Sequence, residues 1–294
     1  MRQPSSRAVA LSLSLLLVVV AQSFGQRRAP GKETVLFEVT GYGDKQIILP
    51  IVIVRGGRFV APPAFNMKAA RRQFAASYYR PGQKYRLLNS DGEGGTVTVK
   101  SHDACDPTAA YVEAQPAGAA EGRTLATNSD SFAGRPIKRR ELTQAEQAEM
   151  MRLIDPPFRR GGYGEPSLTG VSSIAEAADL DGDDKSELIG SFTTGPKTEH
   201  TLFIIASRDA GGRFKPGLLL FTPATDEYHD NSVRRYLLEA IDLDGDHIAE
   251  AIVSVNDYRS QNDWYFVIYK KQGGRWRSVY RGGGFRCPED RGEH

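Results

Sequence analysis

Cysteine is almost absent from this chain, with two in 294 residues, Cys105 and Cys287. Neither stands in a CxxC pair, so the spacing of a zinc ribbon or a redox dithiol is missing. Neither HExxH nor GxSxG occurs, which removes the commonest metalloprotease and serine-hydrolase signatures. Charge of one sign is also lacking, because 38 Lys and Arg face 36 Asp and Glu. No strong net field therefore draws the chain to nucleic acid or to an anionic membrane. After residue 21 no apolar run is long enough to span a bilayer.

The one long apolar run lies at the start. Arg2 and Arg7 form a short basic segment, and the 14 residues of Ala8–Ala21 are apolar or small apart from Ser12 and Ser14. That length is short for a spanning helix and fits the core of a secretory signal, with an uncleaved membrane anchor as the alternative. Small residues at Val19–Ala21 and Ser23–Gly25 place the expected cleavage after Ala21 or Gly25. No cysteine lies nearby to carry a lipid. An exported chain meets oxidising surroundings, where Cys105 and Cys287 are expected to pair, two separate thiols being the alternative.

The expected organisation is a signal peptide over residues 1–25, a β-rich segment over 26–140, a helix and loop over 141–169, and a repeat region over 170–286. Thr34–Val39, Gln46–Val54, Phe59–Val60, Lys84–Leu88, Thr96–Val99, Tyr111–Ala114 and Thr124–Ala126 read as strands from their β-branched and aromatic content. Met67–Tyr78 is rich in Ala and Arg and suits a short helix. Residues 115–141 read as a linker rich in Gly, Ala, Ser and Arg. Thr143-Gln144-Ala145-Glu146 is a capping box, and the helix that it opens is expected to run to about Ile154 and stop before Pro156-Pro157. Gly161-Gly162-Tyr163-Gly164 lacks the spacing of a phosphate-binding glycine loop.

The second half repeats itself. Glu176-Ala177-Ala178-Asp179-Leu180-Asp181-Gly182-Asp183 returns 63 residues later as Glu239-Ala240-Ile241-Asp242-Leu243-Asp244-Gly245-Asp246. The likeness continues through Glu187-Leu188-Ile189 and Glu250-Ala251-Ile252, through Leu202–Ile205 and Tyr265–Ile268, and through Gly211–Phe214 and Gly273–Trp276, the last pair one residue out of register. Each copy, about 170–222 and 233–286, reads as four strands: Ser173–Ala178, Glu187–Phe192, Thr201–Ser207 and Phe214–Phe221, then Tyr236–Ile241, Glu250–Val255, Trp264–Lys270 and Trp276–Arg281. A four-stranded antiparallel sheet is the unit of a propeller blade, and two such blades do not close a ring. The expected fold class is thus mainly β: two blade-like sheets preceded by a small β-rich segment and one short helix.

Within each copy, carboxylates stand at positions 1, 3, 5 and 9 of a loop: Asp179, Asp181, Asp183 and Glu187, then Asp242, Asp244, Asp246 and Glu250. Alternate side chains of a tight loop converge, and a hard cation such as Ca²⁺ takes six to eight oxygens. Lys185 and Ile248 at position 7 offer backbone carbonyls, while Gly182 and Gly245 permit the turn. An EF-hand wants glycine at position 6 and glutamate at position 12; here these are Asp184 or His247, and Gly190 or Val253. The Asp-x-Asp-Gly-Asp-x-x-x-Glu loop between strands resembles the calcium loop of FG-GAP/VCBS repeats, known from integrin α-subunit propellers and many secreted bacterial proteins. The resemblance covers roughly residues 170–286 and implies strand-loop-strand calcium sites on the ten residues just named. The chain departs from that pattern at position 6, usually glycine, at position 9, often aspartate, in lacking the Phe-Gly…Gly-Ala-Pro segment, and in having two copies.

Other polar groups read as surface. Glu176 and Glu239 suit solvated strand positions, with support of the metal ligands as the alternative. Asp226-Glu227-Tyr228-His229-Asp230 suits a polar loop, His247 a turn, and Arg135, Lys138, Arg139 and Arg140 a solvated basic face. The expected function is an exported, non-catalytic calcium-binding module for an extracellular or periplasmic protein or polysaccharide; a secreted hydrolase or lyase on a calcium-stabilised scaffold is the alternative. Export predicts a mature chain beginning at Gln22 or Gln26. N-terminal sequencing of the native protein reads this directly, and Met1 retained in soluble cytoplasm would refute it.

Overall fold

The computed structural model describes residues 33–41, 46–64, 67–88, 94–102, 108–120, 122–130, 132, 134, 136–163, 171–194, 199–224, 232–258 and 263–284. The signal segment, both cysteines and the Asp226–Asp230 loop lie outside them. The fold is mainly β, as the strand patterning implies. Strands β1 (Thr34–Gly41), β2 (Gln46–Arg55), β3 (Arg58–Val60), β4 (Lys84–Leu88), β5 (Thr96–His102), β6 (Ala110–Gln115) and β7 (Gly122–Thr127) form one antiparallel sheet. Its order, β1-β7-β4-β5-β6-β2, closes through a β1–β2 pairing into a six-stranded barrel, with β3 added beside β2. Closure removes the exposed edges that an open sheet must otherwise protect. Helix α1 (Lys68–Tyr78) sets Phe74 and Ala75 into the barrel core, beside Tyr79, Phe37 and Tyr85.

The repeat region forms two further sheets. Strands β9 (Val171–Ala178), β10 (Glu187–Thr194), β11 (Thr201–Arg208) and β12 (Phe214–Thr222) make the first, extended by the short β8 (Arg140–Glu141) beside β9. Strands β13 (Val233–Ile241), β14 (Glu250–Asp257), β15 (Asp263–Gln272) and β16 (Arg275–Gly282) make the second. Registers repeat as well: Glu187 faces Ala178 across β9 and β10 as Glu250 faces Ile241 across β13 and β14.

Successive residues of a strand point to opposite faces, and here both faces are buried. On β10 and β11, Leu188, Phe192, Leu202, Ile204 and Ala206 pack on helix α2 (Gln144–Arg160) at Met150, Leu153, Ile154 and Phe158. Their neighbours Ile189, Phe203 and Ile205 pack on Ala251, Val253, Val255, Val267 and Tyr269 of the second sheet. The opposite face of that sheet, with Ile252, Phe266, Ile268 and Tyr280, packs on Leu36, Ile51, Val52 and Leu125 outside the barrel. The layers therefore run helix, first sheet, second sheet, barrel. Burying each large apolar side chain stabilises by roughly 1.5–3 kcal/mol.

Helix α2 corrects one expectation. It continues through Pro156 and Pro157 to Arg160 instead of ending near Ile154. An interior proline costs about 3 kcal/mol in lost hydrogen bonding and ring clash. Beyond the prolines, Phe158 is fully buried against the rings of Phe221 and Tyr163, and Gly161 N–H donates to the Pro157 carbonyl at 3.0 Å. Tertiary packing of that last turn outweighs the local penalty.

The start of α2 is as expected. Glu146 N–H donates to Thr143 Oγ1 at 3.3 Å, and Thr143 N–H returns the bond to Glu146 Oε2 at 2.9 Å. Arg140 adds a two-pronged contact, 2.7 Å to Oε2 and 2.8 Å to Oε1. The Arg140 hydrogen bond, opposed by burial and helped by Thr143, pulls the Glu146 carboxyl down to about 2. A depressed carboxyl stabilises fully above its ordinary value of 4.5 and loses that contribution as pH falls towards about 2. Thr143→Ala is predicted to cost about 1 kcal/mol. Glu146→Gln should lower the urea midpoint at about pH 7 and by much less at about pH 3; an equal deficit at both would contradict this role.

Candidate metal centre

Each acidic loop is built on the same hydrogen-bond plan. Asp179 and Asp242 leave β9 and β13 and turn their carboxylates back over the loop. Asp179 Oδ1 accepts from Gly182 N–H at 2.8 Å and Oδ2 from Asp184 N–H at 3.0 Å. Asp242 Oδ1 accepts from Gly245 N–H at 2.7 Å and Oδ2 from His247 N–H at 2.9 Å. The backbone N–H groups of Lys185 and Ile248 donate to Asp183 Oδ1 and Asp246 Oδ1, at 2.9 and 3.1 Å. Glu187 and Glu250, opening β10 and β14, close the loops by accepting from Leu180 N–H at 2.9 Å and Leu243 N–H at 2.7 Å. Both glutamates are buried, and burial pushes their carboxyls up against the pull of those bonds and of neighbouring lysines.

Position 6 is the informative departure from the resembled pattern. Asp184 and His247 have φ of 61° and 69°, the left-handed conformation that glycine adopts freely. The loops thus keep a glycine-like backbone on residues that pay for it, which Asp tolerates better than most.

The carboxylates do converge. One ligand atom each from Asp179, Asp181 and Glu187 lies within 4.8 Å of the others, and the same holds for Asp242, Asp244 and Asp246. Asp183 stands outside the first group, paired with Lys185 at 3.5 Å on the surface. The two loops also meet. Ala249 N–H donates to the Leu180 carbonyl at 3.0 Å, across the two repeats.

Two lysines enter this site that the loop motif does not reveal. Lys270 Nζ lies 2.6 Å from Asp244 Oδ2, 2.8 Å from Asp246 Oδ2 and 2.8 Å from Glu250 Oε1. Lys271 Nζ pairs with Asp181 Oδ2 and lies 3.5 Å from Glu187 Oε1. Their alternation on β15 explains the split. Lys270 shares the face of Phe266 and Ile268, on which Glu250 also lies, while Lys271 shares the face of Val267 and Tyr269, towards the first sheet. Burial draws the Lys270 ammonium down, but its bonds to Asp244, Asp246 and Glu250 prevail and hold it above the ordinary lysine range. The equivalent residues of the first repeat are Ser207 and Arg208. Nothing within either acidic loop announces a cation 24 residues downstream of Asp246.

The chemistry of the donor set fits a hard cation. Ammonium groups already mark where positive charge belongs, and one carboxylate oxygen in each loop, Asp181 Oδ1 and Glu250 Oε1, is buried without a hydrogen bond of good geometry. An unsatisfied buried carboxylate oxygen costs more than a typical hydrogen bond returns.

Two surface readings are corrected. Arg139 is half-buried and ion-paired: its Nη1 lies 3.0 Å from Glu176 Oε2 and its Nη2 3.5 Å from Glu239 Oε2. The equivalent glutamates of the two repeats thus share one guanidinium. Its backbone path explains this, since Pro136 bridges Ile241 on β13, Ile137 N–H donates to the Ala240 carbonyl, and Arg140 pairs with Ala177 on β9. Of the presumed linker over 115–141, residues 136–141 form a strap across both sheets at the acidic end and Gly122–Thr127 is strand β7 of the barrel. A cleft of about 630 Å³ opens beside the second loop, lined by Thr34, Val54, Phe132, Asp242, Asp244 and His247 among others. No protein-family model, characterised protein or solved structure gives a significant match to this chain.

Burial pushes the Glu239 carboxyl up, with Arg139 opposing. Arg139→Met is predicted to cost about 1–3 kcal/mol, the value of a hydrogen bond to a charged group plus the carboxylate left behind. Adding Glu239→Gln should recover part of that loss in urea denaturation; strictly additive losses would mean the two groups do not communicate.

Proposed function

We propose that this chain is an exported, non-catalytic binding protein whose paired acidic loops take calcium and so hold the end of a two-sheet stack as a rigid interaction surface. One observation carries the reading: two loops, 63 residues apart in sequence, repeat four hydrogen bonds at equivalent positions and each gathers three carboxylates within 4.8 Å. In the first loop Asp179, Asp181 and Glu187 would supply the oxygens, with Asp183 and the Lys185 carbonyl completing the set. In the second these are Asp242, Asp244, Asp246 and Glu250, with the Ile248 carbonyl. The FG-GAP/VCBS resemblance supports the same assignment. Calcium contributes divalent charge and a large, adaptable oxygen shell there. The carboxylates are committed to backbone N–H groups and to lysines, which suits holding a cation better than relaying protons. The partner class is an extracellular or periplasmic protein or polysaccharide.

The alternative, a secreted hydrolase or lyase, draws support from the cleft beside the second loop, where Asp242, Asp244 and His247 meet Phe132. Turnover of a glycan or ester panel that is lost in Asp244→Asn and His247→Ala would favour it over the binding module.

Extracellular calcium modules bind with dissociation constants of about 10⁻⁴ to 10⁻³ M. At roughly millimolar calcium, mass action then adds about 0.4–1.4 kcal/mol for each occupied site. Calorimetric titration of chelator-treated protein is predicted to show heat, and the melting temperature to rise modestly. The double variant Asp181→Ala, Asp244→Ala should show neither. No heat and no shift in the native chain at several millimolar calcium would leave both loops as lysine-neutralised turns.

A further inference from the structure

The two acidic loops share a plan but not a counterion. Net charge does not separate them. The first has five carboxylates, counting Asp184, against Lys185 and Lys271; the second has four against Lys270. Each is left with three uncompensated negative charges. Geometry does separate them. Lys270 reaches its loop from within the same sheet, and its ammonium sits 2.6–2.8 Å from three of the four carboxylates. Its side chain is 11% exposed and the Glu250 side chain 0%, so water does little to screen the contact. The ammonium stands where a cation would be coordinated. Displacing it would strand a positive charge between the second sheet and the barrel.

Lys271 holds the first loop differently. It crosses from the second sheet to the first, pairs with Asp181 Oδ2 and reaches Glu187 only at 3.5 Å. Asp179 and Asp183 make no contact with it among the described ion pairs; each loop keeps one buried carboxylate oxygen without a hydrogen bond of good geometry, Asp181 Oδ1 here and Glu250 Oε1 in the second, so ammonium contact and not lone-pair satisfaction separates the two. Ser207 Oγ lies 3.5 Å from the same ammonium and offers it a neutral resting partner.

We propose that Lys270 is a built-in cation that reserves the second loop, so that calcium enters the first loop alone at physiological concentration, by exchange against Lys271. This rests on the calcium reading above and narrows it: that reading fills both loops, and the lysine positions fill the first alone. Adjacent residues on opposite faces of β15 then set the two outcomes: one lysine seals its own repeat's loop, and the other is a removable tie between repeats.

Calorimetry with CaCl₂ on the chelator-treated full chain tests this. The native chain should bind one calcium. Asp181→Asn should abolish it, because its ligands lie in the first loop. Lys271→Met should tighten the first site by about tenfold or more, one unit charge beside the ligands being worth at least that. Lys270→Met should open the second loop and raise the stoichiometry to two. Should Lys270→Met fail to fold, the native stoichiometry together with Asp181→Asn decides alone. Two sites of similar affinity in the native chain, or a single site retained in Asp181→Asn, would overturn the lysine assignment while leaving the calcium reading standing. Heat absent from the native chain and from both lysine variants would overturn the calcium reading itself.

Discussion

Strands β10, β11, β14 and β15 have no face turned to solvent, and the placement of Lys270 and Lys271 at the acidic end follows from that. A strand buried on both sides delivers alternate residues into two different layers. Helix α2 takes one set from the first sheet, the barrel takes one set from the second, and the two sheets share the rest. The same alternation that sends Val267 and Ile268 to opposite cores sends Lys271 and Lys270 to opposite loops. Electrostatics at the loops is therefore inherited from packing in the strands. A one-residue slip of β15 against β14 would exchange the two lysines as well as invert the core.

Two blade-like sheets do not close a ring, and their outer faces would be exposed apolar surface. The chain covers each from a different source. Helix α2 lies across the first sheet, carried by the capping box at Thr143 and by burial of Phe158 beyond the prolines. The barrel covers the second, where Tyr280 Oη donates to the Ile51 carbonyl at 2.6 Å and the Arg123 guanidinium, paired with buried Glu38, lies over Trp264. The strap over residues 136–141 then joins both sheets at the loop end. Arg139 is the electrostatic counterpart of that strap, because a planar guanidinium offers two parallel donor edges to two carboxylates at once.

Much of this was legible in the sequence, and the gaps have a common cause. Strand positions in the barrel and both repeats follow from local β-branched patterning and from glycine turns, which act over a few residues. The repeat register survived because the copies carry the same spacing from Asp179 to Glu187 and from Asp242 to Glu250. What local reading missed were long-range pairings. The end of α2 depends on Phe221, the Arg139 contacts on two glutamates 37 and 100 residues away, and the Lys271 contact on a loop 90 residues earlier. Barrel closure through β1 and β2 is likewise set by pairing geometry that composition does not encode. Barrel closure apart, each miss involved a charged or proline residue whose local preference gave way to tertiary contacts.

The left-handed residues at position 6 show how the loops came to depend on their strands. Asp184 and His247 occupy a backbone conformation that costs a non-glycine residue roughly 1–2 kcal/mol. Such a turn persists only where its surroundings determine it. Here the surroundings are identifiable: the Asp179 and Asp242 carboxylates take the N–H of the strained residue itself, and Glu187 and Glu250 pin the opposite side of the loop through Leu180 and Leu243. Leu180 and Leu243 are in turn buried in the inter-sheet and barrel-facing cores. The path from core to carboxylate is thus short and covalent. A loop held this way keeps its oxygens gathered before any cation arrives, so the repulsion among them is met by folding energy and by lysine. That leaves little for a metal to organise, and under the proposed calcium reading the ion's task narrows to replacing an ammonium.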